Sequence, residues 1–344
     1  MYFASGHLIS SDDGSDCSPS CAGLYSLVVV RDRRVSLRPC GFSTLLTSKV
    51  LPMNRWFWVA PLLLNFFGTR SFADDWRMIT PDVVYGHKAG MALTYDVVKP
   101  AKPNGAAVLF MVSGGWVSTW ARPDSVVRSD KPDSLNLFEK IVDRGYTLIL
   151  VRHGSSPYFK VPDAVADVKL AIRHIRAHAA DFGVDPARIG VCGGSAGGHL
   201  SLVLGSMGDD GDETSDVENG EVSSRVHAVV AYFPPTDIRE YVNHKTLSKQ
   251  FPAIVFPDDQ ADDVSPLLAV SADDAPTLLI HGDKDELVPI SHSERFHKAM
   301  QDAKATCELI VMKGAAHGFP GEQGIQAETA LLDWFDKYLA APSK

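Results

Sequence analysis

From residue 82 to residue 339 the chain alternates short apolar runs of strand length with longer stretches of helical spacing. That alternation narrows the possible folds more than any other feature. Residues 106–112 and 147–151 are almost continuously apolar, as expected of strands covered on both faces. Residues 93–98 alternate instead and read as an antiparallel edge strand. Further strands fall at 188–192, 226–233, 277–280 and 307–312. Helical spacing runs through 134–144, which stops at Gly145, and through 163–182, which stops at Gly183. In the second of these, Val165, Val168, Ala171, Ile172, Ile175 and Ala179 form one apolar face. Helices are also expected at 196–207, 291–303 and 325–339. Strands alternating with such helices specify an α/β fold with a mostly parallel sheet and helices on both faces. Sites in such sheets lie at the carboxyl ends of the strands.

The first 73 residues lack this pattern. Residues 1–52 hold Cys17, Cys21 and Cys40, a Ser/Asp-rich patch and an arginine cluster, with strand-like character only at 27–30. Met53-Asn54-Arg55 is followed by a nearly all-apolar run, 56–67, and then by Ser71-Phe72-Ala73. A basic residue, an apolar run of about a dozen residues and small residues at −3 and −1 are the parts of a secretory signal peptide. The expectation is that Met53 is the initiator, that 1–52 is an over-extended reading frame without order, and that 53–73 is a leader cleaved near Ala73. Residues 74–344 would then be a single secreted or periplasmic domain. No apolar run reaches the roughly 20 residues of a stable membrane span.

Residues 74–344 are long enough to bury a core without disulfides or metals. They keep two cysteines, Cys192 and Cys307. The strands that carry them would place them at opposite rims of the sheet, so both are expected as free thiols. No CxxC pair suggests a zinc site. The net charge of −9 argues against a nucleic-acid partner, because phosphate binding needs clustered Lys and Arg. Two stretches interrupt the alternation. Residues 208–224 are acidic, fit no EF-hand spacing, and read as a solvated loop. Residues 237–275 carry Tyr241, Phe251 and Phe256 and are long enough for a small cap beside a site.

Gly193-Gly194-Ser195-Ala196-Gly197 fits G-x-S-x-G between a strand and a helix, the context in which that motif carries chemistry. The serine must stand on a sharp corner, and small neighbours keep the backbones apart. A helix N-terminus beneath it favours developing negative charge. A serine nucleophile needs a base and the base an orienting acid, in the chain order Ser, acid, His for this fold class. His281-Gly282-Asp283-Lys284-Asp285-Glu286 follows one buried strand, and Gly314-Ala315-Ala316-His317-Gly318-Phe319 follows the last one. Both loops belong to the same rim as Ser195.

These segments resemble the α/β-hydrolase superfamily, and more narrowly the secreted bacterial esterases related to hormone-sensitive lipase and to acetyl and feruloyl esterases. The resemblance covers about 97–339. It is carried by Gly193-Gly194-Ser195-Ala196-Gly197-Gly198-His199-Leu200, by 281–289, by Ala316-His317-Gly318-Phe319, and by Phe233-Pro234-Pro235-Thr236-Asp237 and Ser265-Pro266-Leu267. It implies Ser195 as nucleophile, His317 as base and Asp285 as the acid, with Asp283 the rival in the same loop. His281, His199 and His153 are expected to be structural. The resembled pattern carries H-G-G-G-W after its first long parallel strand. Here the same place reads Val112-Ser113-Gly114-Gly115-Trp116, so the leading His and Gly are replaced. Gly114, Gly115 and Ala196 remain as the oxyanion donors, and Trp116 would wall the substrate pocket.

The resemblance thus implies a serine carboxylic-ester hydrolase that forms an acyl-enzyme and needs no metal or organic cofactor. Its substrate would be a short-chain or aryl ester of acetyl or feruloyl type, as a small molecule or on a carbohydrate. Two other readings stay open at this point: a serine peptidase of the prolyl-oligopeptidase type, and a non-catalytic ligand-binding member of the fold.

Overall fold

The structure, a computed structural model, describes residues 78–127 and 136–341. The segments read from the sequence as an extension (1–52) and a leader (53–73), with the strand-like run at 27–30, lie outside the described residues. The elements in chain order are β1 (Met78–Lys88), β2 (Met91–Lys99), β3 (Ala107–Met111), α1 (Pro123–Val127), α2 (Leu137–Asp143), β4 (Thr147–Val151), α3 (Val161–Ala177), α4 (Ala179–Phe182), β5 (Ile189–Gly194), α5 (Ala196–Ser206), β6 (Ala228–Tyr232), α6 (Leu247–Gln250), β7 (Thr277–Gly282), α7 (Ser291–Asp302), β8 (Cys307–Met312) and α8 (Glu322–Tyr338). The strands make one sheet in the order β1-β2-β4-β3-β5-β6-β7-β8. β2 runs antiparallel to both its neighbours, and β3 to β8 are parallel.

The sheet is buried on both faces by two separate apolar clusters. Along β3, Ala107, Leu109 and Met111 join a core with Ile172 and Ile175 of α3 and Leu200 and Leu204 of α5. Val108 points the other way, into a core with Ile141 of α2 and Leu331 and Phe335 of α8. The period of two in a strand sorts neighbouring side chains to opposite faces. A strand with apolar partners on both sides therefore loses its alternation in the sequence, as the 106–112 run does.

Two expectations need correction. The antiparallel strand near 93–98 is real but is not the edge, because β1 pairs outside it. β1 escaped notice because its pairing slips between Thr80 and Val83 and again between Val84 and Gly86, so no period of two survives. Charged groups tie it down instead: Arg152 reaches Asp82 at 3.0 Å and pairs with fully buried Asp96. The long helix expected over 163–182 starts at Val161 and breaks at His178 into α3 and α4. The segment 237–275, expected as a small cap, is built of short turns, mostly 3₁₀, around α6.

Cys192 on β5 and Cys307 on β8 are both free. Two strands separate them, which puts them roughly 14 Å apart and far beyond disulfide reach. Burial pushes the Cys307 thiol up to about 12 and holds both thiols protonated. Among the described residues no helix is long and apolar enough to cross a membrane.

Candidate active site

Ser195 stands at the corner between β5 and α5 with φ 54° and ψ −120°. Such a conformation costs a non-glycine residue about 1–3 kcal/mol and persists only where its surroundings enforce it. Here they do. The Ser195 N–H donates to Tyr232 O of β6 at 2.9 Å, and the Ser195 carbonyl accepts from His199 N at 2.9 Å. The flanking glycines follow from the same crowding. A Cβ on Gly193 would stand 2.6 Å from the Gly197 carbonyl, and one on Gly197 would stand 2.6 Å from Met111 O. Between Ile189 and Leu204, Ser195 is the one residue that is not buried.

His317 follows β8, and its Nδ1 lies 2.6 Å from Oδ2 of Asp285. The other carboxylate oxygen of Asp285 accepts the N–H groups of Leu287 and Val288, each at 3.0 Å. Burial alone would raise the Asp285 carboxyl, but hydrogen bonds from His281, His317 and Val288 outweigh it. They hold the carboxyl well below the usual carboxylate range. Asp283, the rival, accepts the Gly314 N–H and shapes the turn after β8. His281 is wholly buried, with Nε2 against Val288 O at 2.8 Å and Nδ1 against Ser293 Oγ at 2.7 Å. It braces the acid loop. Phe233 joins the two halves of the site: its ring packs 4.4 Å from the His317 ring, and it is the side chain that a Cβ on Gly194 would meet first, at 3.1 Å.

The turn after β3 differs from expectation at one point. Gly114 and Val117 exchange backbone hydrogen bonds, both at 3.0 Å. The Gly114 N–H is therefore engaged and cannot also face a substrate oxygen. The two turn residues between them, Gly115 and Trp116, both take positive φ, 57° and 56°. The N–H groups of Gly115 and Ala196 make no hydrogen bond among the described residues, and these two remain as candidate donors. Only glycine fits at 115, since a Cβ would strike the Phe251 ring at 2.7 Å.

Gly115, Trp116, Ser195, Pro235, Tyr241, Leu247, Phe251, Ile254, Leu287 and Val288 line an open cleft. The walls are almost wholly apolar, and four of those residues come from the 237–275 segment, which thus covers the serine. Sequence reading pointed to Tyr241 and Phe251 as cap aromatics. It missed Leu247 and Ile254, which sit in turns too short to show a period. Trp116 does wall the cleft, and its Nε1 donates to His199 Nδ1 at 3.3 Å. His199 is fully buried, passes its own Nε2–H to Val264 O at 2.7 Å, and is pushed down to about 4 by burial. It ties the turn, the nucleophile helix and the cap segment together as a neutral ring. His153 meets Ser113 Oγ at 2.8 Å.

Sheet order, serine corner and His–Asp pair together define an α/β-hydrolase. The BD-FAE family model matches residues 95–300, more than half of the chain, and the chain belongs to that family. Esterase LipQ of Mycobacterium tuberculosis is 27% identical over 260 residues, which are 73% of this chain and 55% of that protein. The chain spans about half the length of the curated relatives it matches. Among solved structures, a truncated carbohydrate esterase from gut microbiota superimposes with a TM-score of 0.63 at 25% identity, covering 78% of this chain and 99% of that one. The propionate-bound esterase Est2 of Thermogutta terrifontis gives a TM-score of 0.60 at 30% identity, covering 76% of this chain and 96% of that one.

Proposed function

We propose that the chain is a serine carboxylic-ester hydrolase acting on short-chain or aryl esters, with Ser195, His317 and Asp285 as its catalytic set. The observation that carries this reading is the 2.6 Å contact between His317 Nδ1 and a buried, ionised Asp285. It leaves Nε2 of the ring free to act as a base. Ser195 Oγ adds to the ester carbonyl while its proton passes to His317. The Gly115 and Ala196 N–H groups receive the oxyanion. His317 returns the proton to the leaving alcohol, and water then cleaves the acyl-enzyme by the same route. A fluorophosphonate probe should label the chain once, at Ser195, with the corresponding gain in mass. Unlabelled protein at full occupancy of the native fold would refute the assignment.

The cleft supports the short-chain reading. Phe251 packs against Gly115 and limits the depth beside the serine. The propionate carried by the Thermogutta esterase and the carbohydrate named for the gut enzyme agree with acetyl-type esters, including those on sugars. Phe251→Ala should open this wall. Since each methylene in a fitted apolar pocket is worth about 1–3 kcal/mol, the preference for acetate over hexanoate should fall by at least tenfold. The measurement is kcat/KM on the two p-nitrophenyl esters. An unchanged ratio would remove Phe251 from the specificity wall.

Secretion belongs to the same reading. The signal-like run at 53–73 supports a mature chain beginning near Asp74. Amino-terminal sequencing of protein recovered from outside the cytoplasm reads this directly, and a start well upstream of Asp74 would overturn it.

A further inference from the structure

We propose that His153 is a positioning residue for the oxyanion turn, acting through Ser113. The inference rests on the acyl-enzyme reading above and adds a residue that touches neither substrate nor the reacting atoms.

His153 lies two residues beyond β4 and is almost completely buried. Its Nδ1 is 2.8 Å from Gly154 O, and only a ring N–H can face a carbonyl. The proton therefore sits on Nδ1, and Nε2 is a bare acceptor. Ser113 Oγ lies 2.8 Å from Nε2, so the hydroxyl donates to the ring. Burial lowers the affinity of His153 for a second proton and keeps Nε2 an acceptor. The charged groups that face it are Asp167 and Lys88. They form an ion pair at 2.6 Å, and Asp167 also takes the Gly154 N–H at 2.9 Å. The imidazole is thus fixed from behind before it holds anything in front.

What it holds is the residue ahead of the turn. The Ser113 carbonyl would stand 3.3 Å from a Cβ on Gly197, so residue 113 is wedged between His153 and the nucleophile helix. One residue back, Val112 N donates to Val151 O at 2.9 Å and Val112 O accepts Ser118 Oγ at 2.6 Å. One residue on, Gly114 closes its bridge to Val117. The backbone groups of Val112 and Gly114 on either side are held by neighbours, and the Ser113 side chain is held by His153. The Gly115 N–H inherits its direction from that anchor. Val112-Ser113 stand where the resembled pattern carries His-Gly. The imidazole lost from the turn is supplied from the next strand end.

The test is steady-state kinetics on p-nitrophenyl acetate with the full chain. It compares wild type with Ser195→Ala, Ser113→Ala, Ser113→Thr, His153→Leu and the double variant Ser113→Ala/His153→Leu. A displaced oxyanion donor costs a large part of what a deleted one does. Ser113→Ala and His153→Leu should each lower kcat about 10- to 100-fold with KM held within about twofold. The double variant should be no slower than the slower single, and Ser113→Thr should recover most of the rate. The rate of inactivation by a fluorophosphonate should fall in parallel, because its phosphoryl oxygen uses the same donors. Wild-type kcat in Ser113→Ala, a loss confined to KM, or additive losses in the double variant would overturn the role. If His153→Leu does not fold, the alanine and threonine variants at 113 decide alone. Activity retained in Ser195→Ala would bring down the nucleophile reading and this proposal with it. An inactive Ser195→Ala beside an unaffected Ser113→Ala would remove only the positioning role.

Discussion

Ser195→Ala should lower kcat on p-nitrophenyl acetate by about 10⁴- to 10⁶-fold, the range seen when a nucleophile acting as part of a unit is removed. The loss should leave the melting temperature equal to or above that of the parent. Ser195 has φ 54°, its burial is incomplete, and its backbone rather than its side chain carries the hydrogen bonds to Tyr232 and His199. Truncation to alanine keeps those bonds and the corner. Among the described residues the Ser195 hydroxyl makes no hydrogen bond, so lost activity cannot be blamed on lost structure. A residual rate well above the uncatalysed reaction is still expected, because the N–H groups of Gly115 and Ala196 and the cleft itself survive. Turnover within tenfold of the parent would mean that another group attacks the ester. Loss of both activity and melting temperature would mean that the corner is stabilised by its side chain.

How much of this was legible in the sequence depends on what each residue answers to. Buried strands announce themselves because both faces demand apolar side chains, so β3 and β4 could be placed nearly to the residue. β1 could not. Its bulges break the period, and its attachment runs through Arg152, Asp82 and Asp96, whose pairing is a matter of three dimensions. The same division holds in the site. Gly193 and Gly197 are forced by clashes that any residue on that corner would meet, so the motif is visible as letters. The choice of Asp285 over Asp283 was not forced by composition, since both lie in one loop. The structure distinguishes them by their partners: the Leu287 and Val288 N–H groups hold Asp285 beside His317, whereas Asp283 accepts the Gly314 N–H. Gly114 looked like an oxyanion donor because its spacing was right. Only the turn's own bridge to Val117 shows its N–H to be engaged. The contact between Ser113 and His153 joins residues 40 positions apart and leaves no periodic trace.

Asp285→Asn should lower kcat by about 10⁴-fold with little change in KM, and the backbone around it explains why the amide cannot imitate the acid. One carboxylate oxygen takes two N–H donors, from Leu287 and Val288; the other takes the Nδ1–H of His317. An asparagine has one oxygen and one NH₂. If its oxygen stays with the two backbone donors, its NH₂ faces Nδ1, which must then become an acceptor. The ring proton moves to Nε2, and the base can no longer accept the proton of Ser195. If the amide flips, two buried N–H groups face an NH₂, which leaves both without an acceptor at about 1–3 kcal/mol each. The backbone therefore selects the inactive tautomer. The variant also loses the negative charge that stabilises the imidazolium in the transition state. A second signature follows from the carboxyl itself. Its folded value lies well below the 3.8 of an unperturbed Asp, because the hydrogen bonds from His281, His317 and Val288 outweigh burial. A group depressed on folding contributes stability that is fully present above its unfolded value and is lost as pH falls through the folded one. The difference in melting temperature between parent and Asp285→Asn should thus be widest near neutral pH and close as the pH drops below about 4. A variant within tenfold of the parent in kcat, or a gap in melting temperature that is flat down to pH 3, would show that Asp285 is not the ionised partner of His317.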